Sequence, residues 1–226
     1  MSGAHGIRVA LLRGADLVAS PWKNGGGVTR EIAAASAGAM VVGSAPAGGA
    51  GAGLDAFAWR VSVADVAQAG PFSRFDGVDR TLVLIEGAGM LLDEAGPAAR
   101  THALTQALDV ARFAGETAIE ARLVDGPTRD FNLMVRRGTA RGTLEVWRTA
   151  TTHRFTAQTV LLYCAQGTIK ARVNDTQPVA LAAGDTLRVD AQQAVEIETA
   201  GDGAVLAIAL DLVRPEADDQ LPEAGT

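Results

Sequence analysis

The chain has 226 residues and a formal net charge of −6, so no basic surface argues for nucleic-acid binding. Its apolar fraction of 48% supports a substantial core, but no run of about 18 apolar residues predicts a membrane span. The N-terminus lacks a basic region followed by a long apolar block, and the single cysteine, Cys164, excludes an internal disulfide. These features predict a cytoplasmic chain of one large domain or two small ones.

Short strands separated by Gly, Pro and Asp turns account for most of the sequence, and no long helical periodicity is present. A single helical turn is expected at Asp16–Ala19, and Leu104–Arg112 is a further candidate strand. The other predicted strands, in chain order, are Ile7–Leu12, Val28–Ala33, Trp59–Ala64, Thr81–Ile85, Gly89–Asp93, Asn132–Arg136, Leu144–Thr149, Val160–Ala165, Thr168–Val173, Thr186–Val189, Val195–Glu198 and Val205–Leu210. The predicted class is therefore mainly β.

Two segments have the composition of non-core structure. Residues 35–53 are rich in Ala and Gly and predict a flexible loop. Residues 214–226 carry two prolines and several acids and predict a disordered tail. We expect an N-terminal domain at 1–138 and a C-terminal domain at 139–213, with an approximate boundary and interleaved strands.

An internal repeat links the two halves of the chain. Residues 81–92, followed by a Gly-acid turn at 113–117, match residues 159–170, followed by a Gly-acid turn at 181–186. Each copy reads as strand, glycine turn, strand, and then a Gly-acid turn that opens another strand. The pattern resembles the cupin barrel, and two copies imply two barrels.

The segment Pro21–Glu31 has the most unusual composition of the chain. Trp22, Lys23 and Asn24 directly precede three glycines, Gly25 to Gly27, and a strand-like segment follows. Successive N–H groups in such a turn can receive an anion, although a tight turn with a packed Trp explains the spacing equally well. It is not a nucleotide-binding P-loop, because the Lys precedes the glycines and no Lys-Ser or Lys-Thr pair follows.

Three predicted strands place paired polar side chains on one face, since side chains alternate along a strand. The pairs are Thr29 with Glu31, Arg60 with Ser62, and Asp130 with Asn132. One interpretation is the solvent face of an antiparallel sheet, and the other is a polar pocket inside a barrel. Buried charges need partners, which Glu31 with Arg60, or Arg60 with Asp130, would supply.

The histidines do not predict a metal site. Many cupins bind a metal through a His-x-His pair, a carboxylate and a later His, but His5, His102 and His153 form no such pair in either repeat. A site needs about three or four converging ligands. We therefore expect no metal and no cofactor, and interpret Cys164, inside an apolar run, as a buried inert thiol.

Several blocks of the sequence resemble the HutD/Ves family of small bicupins. They are Trp22–Ala33, Phe57–Val66, Gly70–Phe75, Val78–Leu82 with Glu86 and Gly87, and Asp125–Met134. The resemblance implies two stacked cupin-like antiparallel barrels, no bound metal, a pocket near the Trp22 segment, and an association with bacterial histidine utilisation. The 35–53 loop is longer than is usual for the family, which leaves its role as a lid open.

The resemblance and the polar faces together favour a protein that binds a small carboxylate from histidine breakdown and modulates that pathway. Lys23, Arg60 and the amides of Gly25–Gly27 would meet the carboxylate, and Trp22 and Phe131 would form walls or packing. The remaining site residues, which would orient the ligand, are Asn24, Thr29, Glu31, Ser62, Asp130 and Asn132.

Two other functions remain open. One is a metal-independent enzyme that uses Glu31 or Asp130 as general base. The other is a regulatory protein-interaction module with the second barrel as docking surface. Edge strands of such barrels can pair between chains, so a homodimer also remains open.

Overall fold

The computed structural model of the chain describes residues 6–36, 57–96 and 99–213. Within these ranges the chain forms nineteen strands, one 3-10 helix at Gly14–Asp16 and no α-helix, which confirms the mainly β class. None of the described helices is long and apolar enough to cross a bilayer. Residues 37–53 of the predicted loop and the predicted tail at 214–226 lie outside the described residues.

The predicted strands are confirmed, most of them with longer bounds. The strands of the first part are β1 (Ile7–Leu12), β2 (Ala19–Pro21), β3 (Gly27–Ser36), β4 (Phe57–Val66), β5 (Gly70–Pro71), β6 (Val78–Glu86), β7 (Met90–Glu94), β8 (Thr101–Leu104), β9 (Val110–Ala114), β10 (Ile119–Leu123) and β11 (Thr128–Arg136). Those of the second part are β12 (Ala140–Trp147), β13 (Thr151–Phe155), β14 (Thr159–Gln166), β15 (Thr168–Val173), β16 (Val179–Ala182), β17 (Thr186–Ala191), β18 (Val195–Gly201) and β19 (Ala204–Leu212).

Two local predictions are wrong. The segment 104–112 is not one strand, because Leu108 has a positive φ of 71° and the chain turns there between β8 and β9. The helical turn lies at Gly14–Asp16 rather than at Asp16–Ala19, where β2 begins instead. The short strands β5, β10, β13 and β16 were not predicted, although the alternating apolar and charged residues of Ile119–Leu123 (β10) are typical of a strand.

The strands pair antiparallel into four sheets. We call them the outer N-terminal sheet (β5-β10-β7-β8), the inner N-terminal sheet (β2-β3-β4-β11-β6-β9), the inner C-terminal sheet (β1-β17-β14-β19-β12) and the outer C-terminal sheet (β13-β18-β15-β16). Among residues 6–36, 57–96 and 99–213 each sheet keeps two edges, so the hydrogen bonds within these ranges close neither half into a barrel. The described residues thus form two pairs of sheets, and the finer expectation of two stacked cupin-like barrels is not confirmed.

Packing stacks the sheets in the order outer N-terminal, inner N-terminal, inner C-terminal, outer C-terminal. Leu82 and Leu84 of the inner N-terminal sheet share a core with Leu92 of the outer one. On its other face, the inner N-terminal sheet buries Phe131 against Tyr163 of the inner C-terminal sheet, with ring centroids 4.9 Å apart. The inner N-terminal sheet is thus covered on both faces.

The internal repeat is visible in the strand pairing. In the first half, β6 pairs with β9 and β11, β7 with β8 and β10, and β4 with β11. In the second half, β14 pairs with β17 and β19, β15 with β16 and β18, and β12 with β19. The same eight-strand plan is therefore used twice, with β6 equivalent to β14 and β11 equivalent to β19.

One part of the predicted repeat was matched to the wrong turn. Gly184-Asp185 corresponds to Leu108-Asp109 rather than to the Gly-acid turn at residues 115 and 116. The Leu84 N–H donates to the Asp109 carbonyl at 3.0 Å, as the Cys164 N–H donates to the Asp185 carbonyl at 2.9 Å. Leu108 and Gly184 both have positive φ, 71° and 92°. Because glycine is the residue expected in that conformation, the turn at Leu108 could not be recognised from the sequence.

The first strand of the chain belongs to a sheet of the second half. Sequence analysis places residues 7–12 in the N-terminal domain, yet β1 pairs with β17 of the inner C-terminal sheet, from Ile7 opposite Ala191 to Leu12 opposite Thr186. An ion pair between Arg13 and Asp185, at 2.7 Å, fixes the end of this strand. In contrast, β2 and β3 extend the inner N-terminal sheet beyond β4.

Candidate functional site

The Trp22 segment folds as a tight hairpin between β2 and β3. The Trp22 Nε1–H donates to Thr29 Oγ1 at 2.7 Å, so the indole lies over the strand that follows. A Cβ on Gly27 would lie 2.6 Å from the Asp65 carbonyl oxygen and 3.1 Å from the indole ring. Only glycine allows this approach, because real Cβ atoms do not come so close to backbone.

The amides of the glycine turn already have partners within it. Gly25 N–H donates to the Trp22 carbonyl at 3.0 Å, and Gly26 N–H donates to Asn24 Oδ1 at 3.0 Å. Neither amide is therefore a free donor for an anion in this conformation, and Lys23 is exposed to solvent. A cleft of about 180 Å3 opens beside the turn and is lined by Trp22, Asn24, Gly26, Val66, Gln68, Ala69, Gly70, Pro71 and Phe72.

The three predicted polar pairs share one face of the inner N-terminal sheet. Ser62 lies opposite both Glu31 and Asn132, and directly paired residues point to the same face. On β6, the other neighbour of β11, Leu82 lies opposite Asn132 and so points to the same face. Leu82 belongs to the core shared with the outer N-terminal sheet. The polar face therefore lies between two sheets, and Ser62 and Asp130 are each only 2% exposed.

Phe131 does not line this polar face. It alternates with Asp130 and Asn132 and packs against Tyr163 on the opposite side of the sheet. Of the two roles expected from sequence, wall or packing, the structure therefore gives Phe131 the packing role.

One of the two expected charge pairs is present. Arg60 Nε donates to Glu31 Oε2 at 2.7 Å, with the Arg60 side chain 16% exposed and the Glu31 side chain 48% exposed. This pair lies at the solvent-facing part of the polar face, whereas Asp130 lies deeper. The cation that acts on Asp130 is not Arg60 but Arg80, a residue that was absent from the predicted set.

Arg80 is buried in an aromatic cage. Its guanidinium carbon lies 5.3, 5.7 and 5.0 Å from the ring centroids of Phe72, Phe75 and Phe113, and Nη1 donates to the Ser73 carbonyl at 3.3 Å. Sequence analysis began the strand at Thr81 and so missed Arg80. With the observed start at Val78, alternation alone would have placed Arg80 on the polar face with Leu82.

Several buried polar atoms on this face have no hydrogen-bond partner among the described residues. They are Arg80 Nε, Asp130 Oδ2, Asn132 Oδ1 and Thr128 Oγ1. Burial raises the pKa of Asp130 to about 7, although the charge of Arg80 opposes the shift. Burial also lowers the pKa of Arg80 to about 10, and attraction to Asp130 only partly offsets it. The two charges are thus incompletely compensated, which is typical of functional sites.

The second half of the chain forms the same strand plan without these polar groups. Because Leu84 is equivalent to Cys164, the pairing of Asp130 with Leu84 makes Asp130 equivalent to Val205, which pairs with Cys164. The same registers make Asn132 equivalent to Ala207 and Arg80 equivalent to Val160. Val160, Val205 and Ala207 are all buried in the core of the C-terminal sheet pair.

Among the described residues, no group of three or more His, Cys, Asp or Glu side chains is placed to hold a metal ion. His102 Nε2 lies 2.7 Å from Glu94 Oε1, and the His153 ring contacts Trp147 and Phe155. The Cys164 thiol is buried, and burial raises its pKa.

Comparison with known proteins identifies the family. The HutD family model matches residues 14–207. The chain belongs to the HutD family. An uncharacterised 21.2 kDa protein from the hutC 3′ region of Pseudomonas putida is 34% identical over 184 residues, which cover 81% of this chain and 87% of that protein. Protein Ves of Citrobacter koseri is 35% identical over 126 residues, 55% of this chain and 56% of Ves.

Solved structures give the same assignment. HutD from Pseudomonas fluorescens is 32% identical and superposes with a TM-score of 0.74 over 92% of this chain and 100% of that one. A conserved protein of unknown function from Pseudomonas aeruginosa is 34% identical, with a TM-score of 0.77 over 90% and 99%. Oxalate decarboxylase from Lactobacillus farciminis, 9% identical with a TM-score of 0.55, shares the fold alone.

The raised pKa of Asp130 predicts a pH-dependent stability. In the unfolded chain the carboxyl loses its proton near 3.8, but in the folded protein it keeps the proton up to about pH 7. The folded state therefore binds more protons in this window, and the stability falls as the pH rises, by up to about 1.4 kcal/mol per pH unit. Urea unfolding of the wild type and Asp130→Asn from about pH 4 to pH 8 should show this slope in the wild type only.

Glu120→Gln, which changes an exposed carboxyl on the outer N-terminal sheet, serves as the control and should keep the wild-type slope. Equal slopes in the wild type and Asp130→Asn would show that Asp130 ionises normally in the folded protein.

We expect the protein to become more stable when the buried polar residues of the first half are replaced by the residue types at the equivalent positions of the second half. The triple variant Arg80→Val, Asp130→Val, Asn132→Ala replaces an incompletely compensated buried pair with the residue types found at positions 160, 205 and 207. Such replacements are neutral or stabilising by about 1–4 kcal/mol, whereas Asp130→Val alone strands the Arg80 charge and costs about 3–5 kcal/mol. Denaturant unfolding measures both. A triple variant as unstable as the single one would mean that the polar groups support the fold.

Proposed function

We propose that this protein binds a small carboxylate on the polar face of its N-terminal sheet pair and thereby modulates histidine utilisation, the process with which the HutD family is associated. The observation that carries the proposal is the buried Arg80, whose Nε has no partner among the described residues. A guanidinium is the preferred side chain for binding a carboxylate. In the proposal the protein is cytoplasmic and needs no metal, expectations that rest on the sequence.

The residues around Arg80 support a ligand site of limited size. Phe72 belongs both to the Arg80 cage and to the cleft beside the glycine turn, so a ligand in the cleft would lie near the guanidinium. Trp22 lines the same cleft, and its indole N–H donates a hydrogen bond to Thr29 of the polar face. In the proposal Arg80 and Arg60 meet the carboxylate, and Asp130, Asn132 and Ser62 orient the rest of the ligand.

Most of the other predicted site residues have a supporting role rather than a direct contact with the ligand in the proposal. Glu31 holds Arg60 and thus acts as a positioning residue, while Thr29 holds the indole of Trp22. Gly25, Gly26 and Asn24 shape the turn through their own hydrogen bonds, and Lys23 would reach the ligand only from the rim of the cleft.

The relatives supply a first probe. The structure of HutD from Pseudomonas fluorescens was determined in a formate condition, and formate is the smallest carboxylate. We propose that this chain takes the same chemical class, with larger members drawn from histidine breakdown.

A thermal-shift screen tests the proposal. The compounds are formate, glutamate, urocanate, imidazolone propionate, formiminoglutamate and formylglutamate. A ligand that binds only the folded state raises the melting temperature in a concentration-dependent way. Arg80→Lys keeps the charge but removes the Nε donor and should weaken binding about tenfold or more, and Arg60→Ala should weaken it as well.

Arg141→Ala is the matched control, because Arg141 is an exposed arginine on β12 with no ion pair in the described structure; it should bind like the wild type. No shift with any compound, or equal affinity in Arg80→Lys, would contradict the proposal.

A second function, a metal-independent enzyme, is favoured by one observation. A general base works best with a pKa near the working pH, and burial gives Asp130 a pKa of about 7. Glu31 is less suited to the role, because it is half exposed and paired with Arg60. Asp130 is therefore the better candidate of the two acids named from sequence.

Turnover assays on any compound that binds separate the two functions. In an enzyme the rate should rise with pH through about 7, as Asp130 loses its proton. Asp130→Asn should then lower the rate by far more than it lowers the affinity, while Glu31→Gln should retain most of the rate. If the wild type binds a compound but forms no product from it, the enzymatic function is contradicted and only the binding function remains.

A further inference from the structure

Unpaired acceptors outnumber unpaired donors on the polar face. Within the described part of the chain, Asp130 Oδ2 and Asn132 Oδ1 are acceptors without partners, while Arg80 Nε is a donor without one. The Thr128 hydroxyl, also unpaired, can serve as either. A ligand that satisfies this face must therefore bring hydrogen-bond donors as well as an anionic group.

The strand register separates the two kinds of group. Thr128, Asp130 and Asn132 follow one another along the same face of β11 and form a row. Arg80 stands on the neighbouring strand β6, opposite Met134, beyond the end of that row. A small ligand whose carboxylate binds Arg80 would extend its other end along β11 towards Asn132 and Asp130.

The cost of binding then depends on what lies next to the carboxylate. A carboxylate without a neighbouring donor brings a second negative charge towards Asp130 and leaves its Oδ2 unpaired. An unpaired buried acceptor costs binding free energy. A carboxylate with an adjacent hydroxyl or N–H donates to Oδ2 and removes that cost. Sites built to bond a substrate hydroxyl or N–H reject analogues that lack it far more strongly than apolar pockets reject a methyl group.

We propose that Asp130 is the specificity-determining residue of this site, which selects small carboxylates that carry a hydroxyl or N–H donor beside the carboxylate over carboxylates that do not. The proposal rests on the proposed binding function and names its ligand class. The second half of the chain supports it, since the equivalent position in the same strand plan holds the apolar Val205.

The selection should weaken at low pH. Once protonated, Asp130 becomes a donor itself, and its pKa of about 7 places this change between about pH 6 and about pH 8.5. The other charged or titratable groups on the inward faces of the two packed sheets are Arg80 on β6, Arg60 on β4, Glu31 on β3, Glu94 on β7 and His102 on β8. Asp65, from the opposite face, adds a small repulsion that raises the pKa of Asp130.

Glycolate and propionate form a matched pair of probes, because they have the same charge and nearly the same size, and differ by a hydroxyl in place of a methyl group. Their affinities for the full chain can be compared by calorimetry or ligand-observed NMR. At about pH 8.5 the wild type should bind glycolate about tenfold or more tightly than propionate, as expected for a hydrogen bond to a charged acceptor. At about pH 6 the ratio should fall.

Asp130→Asn keeps the shape but not the charge, and since neutral hydrogen bonds are about half as strong, the ratio at high pH should drop to roughly threefold. Glu120→Gln should keep the wild-type ratio. These two variants separate the role of Asp130 from a general effect of removing a carboxylate.

Each outcome has a distinct meaning. A wild-type ratio near one, with measurable affinity for both probes, overturns the selection by Asp130 and leaves the carboxylate-binding function standing. An unchanged ratio in Asp130→Asn assigns the selection to other residues and overturns the proposal as well. If neither probe binds while formate does, the selection by Asp130 is overturned. If none of the compounds of the thermal-shift screen binds either, the proposed function itself is overturned.

Discussion

The inner N-terminal sheet has to bury both of its faces, and the rest of the molecule follows from that constraint. One face carries Trp59, Val61 and Phe131, which are at most 2% exposed and pack against the C-terminal half. The other face packs against the outer N-terminal sheet and is nevertheless polar in its centre, with Ser62 and Asp130. A sheet with one solvated face would tolerate those polar side chains at no cost; a sheet covered on both faces does not.

The cost is visible at Asp130 and Arg80. Both are desolvated, so the pKa of the acid rises to about 7 and the pKa of the base falls to about 10. The three phenylalanine rings around Arg80 stabilise its charge through cation–π contacts, each worth about 0.5–2 kcal/mol. These contacts do not cancel the desolvation, because the pKa of Arg80 still falls to about 10. Stability is therefore given up where a charged ligand could restore it.

The sequence predicts the strands and the two faces of β4 and β11 well, because alternation is a local property. It identifies Arg60, Ser62, Asp130 and Asn132 as one polar set for the same reason. Arg80 is missed, because the predicted strand begins at Thr81, whereas the observed strand begins at Val78 and includes Arg80. No local pattern predicts the cage, since Phe72, just after β5, and Phe113 on β9 meet only through tertiary packing. The pairing of β1 with the distant β17 is equally non-local.

The repeat gives the strongest reason to place the function in the N-terminal half. The two halves share an eight-strand plan, so residues at equivalent positions experience the same fold, and the second half fills the Arg80, Asp130 and Asn132 positions with Val160, Val205 and Ala207. The first half also adds β2 and β3, which bring the glycine turn and Thr29 to the edge of the same polar face. The polar residues have no counterpart in the second half, and the added strands lead to them; both features support the proposed ligand site in the N-terminal half.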